Sequence, residues 1–173
     1  MFTATWLLCT AAANDVIEIG SRRECFADRF VVDRLSGVEL RLIPPHDAGA
    51  VLEFDQPWEG LFCGYATVIL DGETYRLYYR GMPVAGGDGK LDEVTCYAES
   101  QDGKTWTKPN LGIFEVAGSR ENNVVLAEAA PATHNFCPLL DRRPGVPAAE
   151  RFKAVGGTAS SGLFAFASAD GIH

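Results

Sequence analysis

A chain of 173 residues, 47% hydrophobic and 22% charged, is long enough to bury one globular core and is not of disordered composition. Its formal charge of -8 leaves Lys and Arg outnumbered, and they are scattered along the chain, which excludes a surface that tracks a nucleic-acid phosphate backbone. No apolar run reaches the roughly 18 residues that a transmembrane helix needs, so no membrane span is expected.

Residues 1–24 read as a leader or arm. The first 13, MFTATWLLCTAAA, are apolar and end in small residues, like the core and cleavage zone of a signal peptide without its basic start, which favours a secreted or periplasmic location over a cytoplasmic one. Cys9 follows Leu8, where a lipoprotein signal carries a small residue, so no lipid anchor is read. Residues 25–32, CFADRFVV, are the first predicted strand, residues 35–42 a second, and residues 43–50, with Pro44, Pro45 and Gly49, a loop. Residues 64–70 and 73–80 flank Asp71-Gly72, the sequence signature of a type I′ hairpin. Both faces of TYRLYYR carry bulk, as expected of a strand covered on each side. A glycine-rich surface loop over 82–92 holds no phosphate-cradling pattern, and strands are predicted at 94–100, 113–116 and 123–126. A linker at 127–133 leads to a second unit whose first hairpin carries a long loop over 141–150. Helical periodicity is nowhere sustained.

The segment SQDGKTW, from Ser100 to Trp106, returns as SADGIH, from Ser168 to His173, placing Asp102 and Asp170 68 residues apart. The residues leading into each copy agree as well, YRLYYRG with RFKAVGG and VTCYAES with LFAFAS. Each unit reads as a hairpin, a loop, a further strand and an Asp-Gly turn. A β unit that cannot bury both faces alone implies stacked neighbours, as in a propeller or solenoid, and such arrays need about three repeats. About two are counted, so an incomplete array with open edges prone to self-association is expected. Asp102 and Asp170 are expected to fasten their hairpins through side-chain to backbone hydrogen bonds, with Trp106 packing between strands.

The five cysteines have no metal-ligand spacing, so no metal site is expected, and Cys63, Cys96 and Cys137 within strand patterns read as small buried thiols. There is no nucleophile elbow and no supported Ser-His-Asp arrangement.

The segments FADRFVVD, DQPWEG, GYATVILDGETYRLYYRG, TCYAESQDGKTWTKPNLGIFEV, ENNVV, HNFCPLLD, ERFKAVGG and GLFAFASADGIH, in that order, resemble the glycosidase-like five-bladed β-propeller proteins related to glycoside hydrolase families 43 and 32. The likeness runs from about Cys25 to the end. It implies an all-β, incomplete five-bladed propeller of about two blades, and a carbohydrate-active protein that in full-length form hydrolyses glycosidic bonds of fructosides, arabinosides or xylosides with no organic cofactor. The fragment alone is expected to be inactive. SQDGKTW is also similar to the Asp-box of sialidases, which however separates the aspartate from the glycine by one residue.

Glycosidic cleavage needs two carboxyl groups, one protonated to assist the leaving oxygen and one ionised. The resemblance places Asp28 at the first of two aspartates that related proteins show after Phe-Val. Here Ala27 stands for the valine and Arg29 replaces the second acid. Asp28 is thus the candidate base or nucleophile, with a salt bridge to Arg29 or Arg80 as the alternative. Glu99 is the candidate acid, placed by alternation with Thr95 and Tyr97 on one face, with an ion pair to Arg76 or Arg80 as the alternative. Trp58 and Glu59 read either as a stacking face and a hydroxyl-binding acid or as a core edge beside a solvated acid. His134 and Asn135, opening the inner strand of the second unit, and Arg80 complete the substrate-binding candidates. The competing reading is a noncatalytic carbohydrate-binding or scaffold propeller in which Arg29 marks lost catalysis.

Overall fold

The computed structural model describes residues 16–83, 86 and 88–173, so the leader-like residues 1–13 lie outside the described residues. The chain forms two compact units, one reaching to Asp47 and the other spanning Ala48–His173. In the first, the strands predicted at 25–32 and 35–42 are turns and bends. A strand is stable only when a neighbour takes its N–H and C=O groups, and here short-range bonds take some of them instead. The Phe30 N–H donates to the Asp28 carboxylate at 2.8 Å, and the Val32 N–H to the Arg29 carbonyl at 3.1 Å.

The second unit is all-β. Strands β1 (Gly64–Asp71), β2 (Thr74–Gly81), β3 (Val94–Ser100) and β4 (Val124–Leu126) form one antiparallel sheet in chain order. Strands β5 (Cys137–Leu140), β6 (Phe152–Thr158) and β7 (Gly162–Ser168) form a second. The long loop between β5 and β6 contains a single 3-10 turn, Ala148–Glu150. The predicted strand at 113–116 shrinks to one bridge, Val116 with Ser119, because Ala117 and Gly118 both take positive φ and turn the chain back. The β1–β2 turn also differs from expectation. Asp71 pairs with Thr74 inside the ladder, and only Gly72 has positive φ, the pattern of a type II′ rather than a type I′ turn. Asp71 stays in the strand because its carboxylate pairs with Arg76 at 3.1 Å and with Arg151.

Alternation along β2 and β3 builds two cores. Leu77 and Tyr79 of β2, with Val94, Cys96 and Ala98 of β3, pack against Trp58 and Val124 on one face. Tyr78 and Tyr97 on the opposite face pack against Ile69 and Phe152, so the second sheet covers the first. TYRLYYR is therefore covered on each side. Of the three cysteines read as buried thiols, Cys96 is buried and Cys63 half-buried, but Cys137 is exposed on β5. Its sheet face, which also carries Leu139, Val155 and Leu163, is open, with Leu163 75% exposed.

The Asp-Gly turns are the same structure twice. Ser100 Oγ accepts from the backbone N–H of Asp102 at 3.2 Å and of Gly103 at 2.9 Å, while Asp102 Oδ1 accepts from the N–H of Lys104 at 2.8 Å and Thr105 at 2.7 Å. Ser168 and Asp170 make the equivalent four bonds at 3.2, 2.8, 2.9 and 2.8 Å. These bonds hold the Asp102 carboxyl well below the usual carboxylate range, the backbone N–H of Thr105 foremost. Desolvation opposes the same effect at Asp170, and the bonds from His173 and Ile172 outweigh it. Trp106 is half-buried against the first core, its indole N–H donating to the Gly103 carbonyl at 3.3 Å. Strand register refines the repeat: Ser100 faces Tyr75 and Ser168 faces Phe152, so Tyr75 corresponds to Phe152, one residue on from the alignment by letters.

Candidate functional site

The antiparallel register sends the start of β1, the end of β2, the start of β3 and the segment entering β5 to one end of the sheets, away from the Asp-Gly turns. Four sequence features meet at that end. A bulge between Gly64 and Thr67 re-aims Tyr65, which takes φ +51° and is 60% exposed. Asn135, entering β5, takes φ +54°. Positive φ at a non-glycine residue costs of order 1–3 kcal/mol and concentrates at binding sites. Here it occurs at Tyr65 in β1 and at Asn135 just before β5, as well as at Ala117 and Glu128.

Arg80, near the end of β2, lays its guanidinium over the Tyr65 ring at 4.3 Å from the centroid and donates to the Phe62 carbonyl at 3.1 Å. Its Nε is buried without a hydrogen-bond partner and lies 4.0 Å from Glu93 Oε1. Glu93, immediately before β3, is wholly buried. Its carboxylate meets His134 Nδ1 at 3.0 and 3.1 Å and accepts the Gly89 N–H at 2.6 Å. His134 is 8% exposed, and its ring lies 6.5 Å from the Tyr65 ring, centroid to centroid. Asn135 donates to the Gly157 carbonyl at 3.2 Å. Beside this cluster lies an open cleft of about 690 Å³ bordered by Asp88, His134, Asn135, Thr158, Ser160 and Ser161. Among the described residues Asp88 is the one acid on its lining. A second cavity, of about 140 Å³, lies in the seam between the sheets and is lined chiefly by apolar groups such as Phe136, Phe152 and Phe166, which offer a polar ligand little to bond.

Arg80, His134 and Asn135 are thus brought together. Trp58 and Glu59 instead enter a buried network behind β2. The Trp58 indole N–H donates to Asn123 Oδ1 at 2.8 Å, and Asn123 Nδ2 donates to the Tyr79 hydroxyl at 2.7 Å. That hydroxyl donates to Glu59 Oε1 at 2.5 Å, and Lys108 Nζ reaches the same oxygen at 2.8 Å. The Gln56 N–H fills Oε2 at 2.8 Å. Burial pushes the Tyr79 hydroxyl far above its ordinary value. Burial opposes the charge on Lys108, but its bonds to Glu59 and Asp55 outweigh that and raise it. Glu59 is 0% exposed, so it is not a solvated acid, and its oxygens are engaged by the protein.

Glu99 faces Arg76 across the ladder but accepts the Tyr97 hydroxyl at 3.1 Å, while Arg76 pairs with Asp71. Six residues of extended strand, about 20 Å, separate it from Glu93, so Glu99 belongs to the opposite end of β3. Asp28 lies exposed in the N-terminal unit, with its carboxylate on the Phe30 N–H. Sequence reasoning missed Glu93 and Tyr65. An aromatic residue directly after Gly64 at the start of β1 was the available signal for Tyr65; a glutamate preceding a strand carries none. Among the described residues no group of three or more His, Cys, Asp or Glu side chains is placed to hold a metal ion. No helix of the described residues is long and apolar enough to cross a membrane. Comparison with protein-family models, curated protein sequences and solved structures finds no match to this chain.

Proposed function

We propose that this protein handles carbohydrate, as the resemblance to glycosidase-like propellers implies, and that the Tyr65–Arg80–His134–Asn135 end of its sheets binds a neutral sugar. The observation that carries the reading is the strained, exposed Tyr65, its ring braced by Arg80 and 6.5 Å from the ring of His134, which borders a cleft rimmed by hydroxyl and amide groups. An aromatic face stacks on the C–H face of a sugar ring while amides and hydroxyls exchange hydrogen bonds with its rim. Within the propeller reading, the full-length form would cleave glycosidic bonds with paired carboxylates. The noncatalytic alternative draws support from one observation, that Glu59 and Glu99 are both engaged by protein groups and that, among the described residues, Asp88 lines the cleft without a second acid.

Calorimetric titration of the purified chain with neutral oligosaccharides of xylose, arabinose and fructose tests the reading. At least one binds, and Tyr65→Ala weakens it about three- to tenfold, the worth of a stacked aromatic contact. The same chain turns over no aryl glycoside. Absence of binding across the panel contradicts the carbohydrate reading, and measurable turnover contradicts the inactivity of this chain.

A further inference from the structure

Glu93 has no place in the binding surface itself, since it is sealed from solvent, yet among the described residues it is the one hydrogen-bond partner of the His134 ring. The bond joins the start of β3 to the segment entering β5, and so ties one sheet to the other across 41 residues of sequence. Every other described group reaching the carboxylate is a donor: the Gly89 N–H at 2.6 Å on Oε2, and the Arg80 Nε at 4.0 Å from Oε1. A carboxylate in that setting accepts, so His134 Nδ1 donates, and a neutral imidazole that carries its proton on Nδ1 keeps a lone pair on Nε2. No described residue bonds Nε2, and the ring borders the cleft.

We propose that Glu93 is a positioning residue that holds His134 with Nε2 presented to the cleft as a hydrogen-bond acceptor for a hydroxyl group of a neutral polyol ligand. The inference rests on the carbohydrate reading for its ligand class. An acceptor nitrogen and the Asp88 carboxylate on the same lining both disfavour an anion, whereas a sugar hydroxyl donates to Nε2 and accepts from the second N–H of the Asn135 amide nearby. His134 then selects for a hydroxyl at one ring position and against a deoxy or O-methyl analogue, because the analogue leaves the nitrogen desolvated and unpaired.

The test is a long-range proton–nitrogen correlation spectrum of the full chain with labelled histidine, at mildly alkaline pH, before and after Glu93→Gln. The wild type shows His134 protonated on Nδ1 and bare on Nε2. The variant puts an amide donor beside Nδ1, moves the proton to Nε2, and weakens the tightest-binding oligosaccharide of the panel about tenfold or more. A wild-type proton on Nε2, or a tautomer that Glu93→Gln leaves unchanged, overturns the positioning role whatever the sugar result. Should the variant fail to fold, the wild-type spectrum alone decides the tautomer. A wild type with the expected tautomer that binds no sugar overturns the ligand class and the carbohydrate reading, while the tautomer still supports the Glu93–His134 arrangement.

Discussion

At the residue scale, the two buried glutamates show how burial decides between roles that the sequence leaves open. Glu59 and Glu93 are both wholly buried, and each is surrounded by donors. Glu59 spends its oxygens on Tyr79, Lys108 and Gln56 inside a core network, whereas Glu93 spends its own on a histidine that borders a cleft. Nothing local distinguishes them, because Lys108 reaches Glu59 across 49 residues and His134 reaches Glu93 across 41. Trp58 was legible as either a stacking face or a core edge, and the Asn123 bond fixes it in the core. Replacing Lys108 by Met leaves the Glu59 carboxylate buried beside Tyr79 and Gln56 without its counter-charge. Losing one member of a buried ion pair costs about 3–5 kcal/mol. Urea unfolding of Lys108→Met should show a loss of that order, with part of it restored in Lys108→Met combined with Glu59→Gln. A loss under about 1 kcal/mol would mean that water reaches the pair.

At the element scale, the positions of locally signalled strands were read well, but the β1–β2 turn type and the non-local pairing were not. The β1–β2 hairpin and both Asp-Gly turns are encoded within a few residues, so the strand positions and the bonds from the Asp102 and Asp170 carboxylates to backbone N–H groups follow from the letters, whereas the matching bonds to Ser100 and Ser168 were not read. The segments at 25–32 and 35–42 have strand-like letters but gain no ladder, and the bulge at Tyr65 has no sequence mark beyond the glycine before it. The repeat also separates turns that look identical. A methyl group on Gly103, at φ +70°, would meet nothing closer than the Tyr75 ring at 3.8 Å. On Gly171, at φ +77°, it would lie 2.5 Å from the Tyr78 hydroxyl and 3.0 Å from Phe152. That hydroxyl, which burial pushes up to about 12, also donates to the Gly171 carbonyl at 3.0 Å. Gly103→Ala should therefore cost about 1 kcal/mol, from backbone conformation alone, and Gly171→Ala a further 1–3 kcal/mol or so from the clash at the sheet seam. Equal losses for the two variants, measured by thermal unfolding, would show that the second turn does not dock on β2.

At the scale of the whole molecule, the register of the two described sheets divides the labour between two ends. One end carries the fastening turns, whose carboxylates are committed to backbone N–H groups. The other collects Tyr65, Arg80, Glu93, His134 and Asn135 from both sheets. Of these, His134 and Asn135 were named from sequence because the resemblance puts the opening of the second unit's first strand by the ligand, and Arg80 was named with them; Glu93 became visible only when the second sheet closed over the first. The most direct test is backbone chemical-shift mapping of the isotope-labelled chain during titration with the panel of neutral oligosaccharides. Shifts concentrated at Tyr65, Gly89, His134, Asn135 and residues 158–161, with the Asp-Gly turns at 100–106 and 168–173 unmoved, are the predicted result. Binding that perturbs the turn end or the seam between the sheets, or no perturbation by any sugar, would contradict the account.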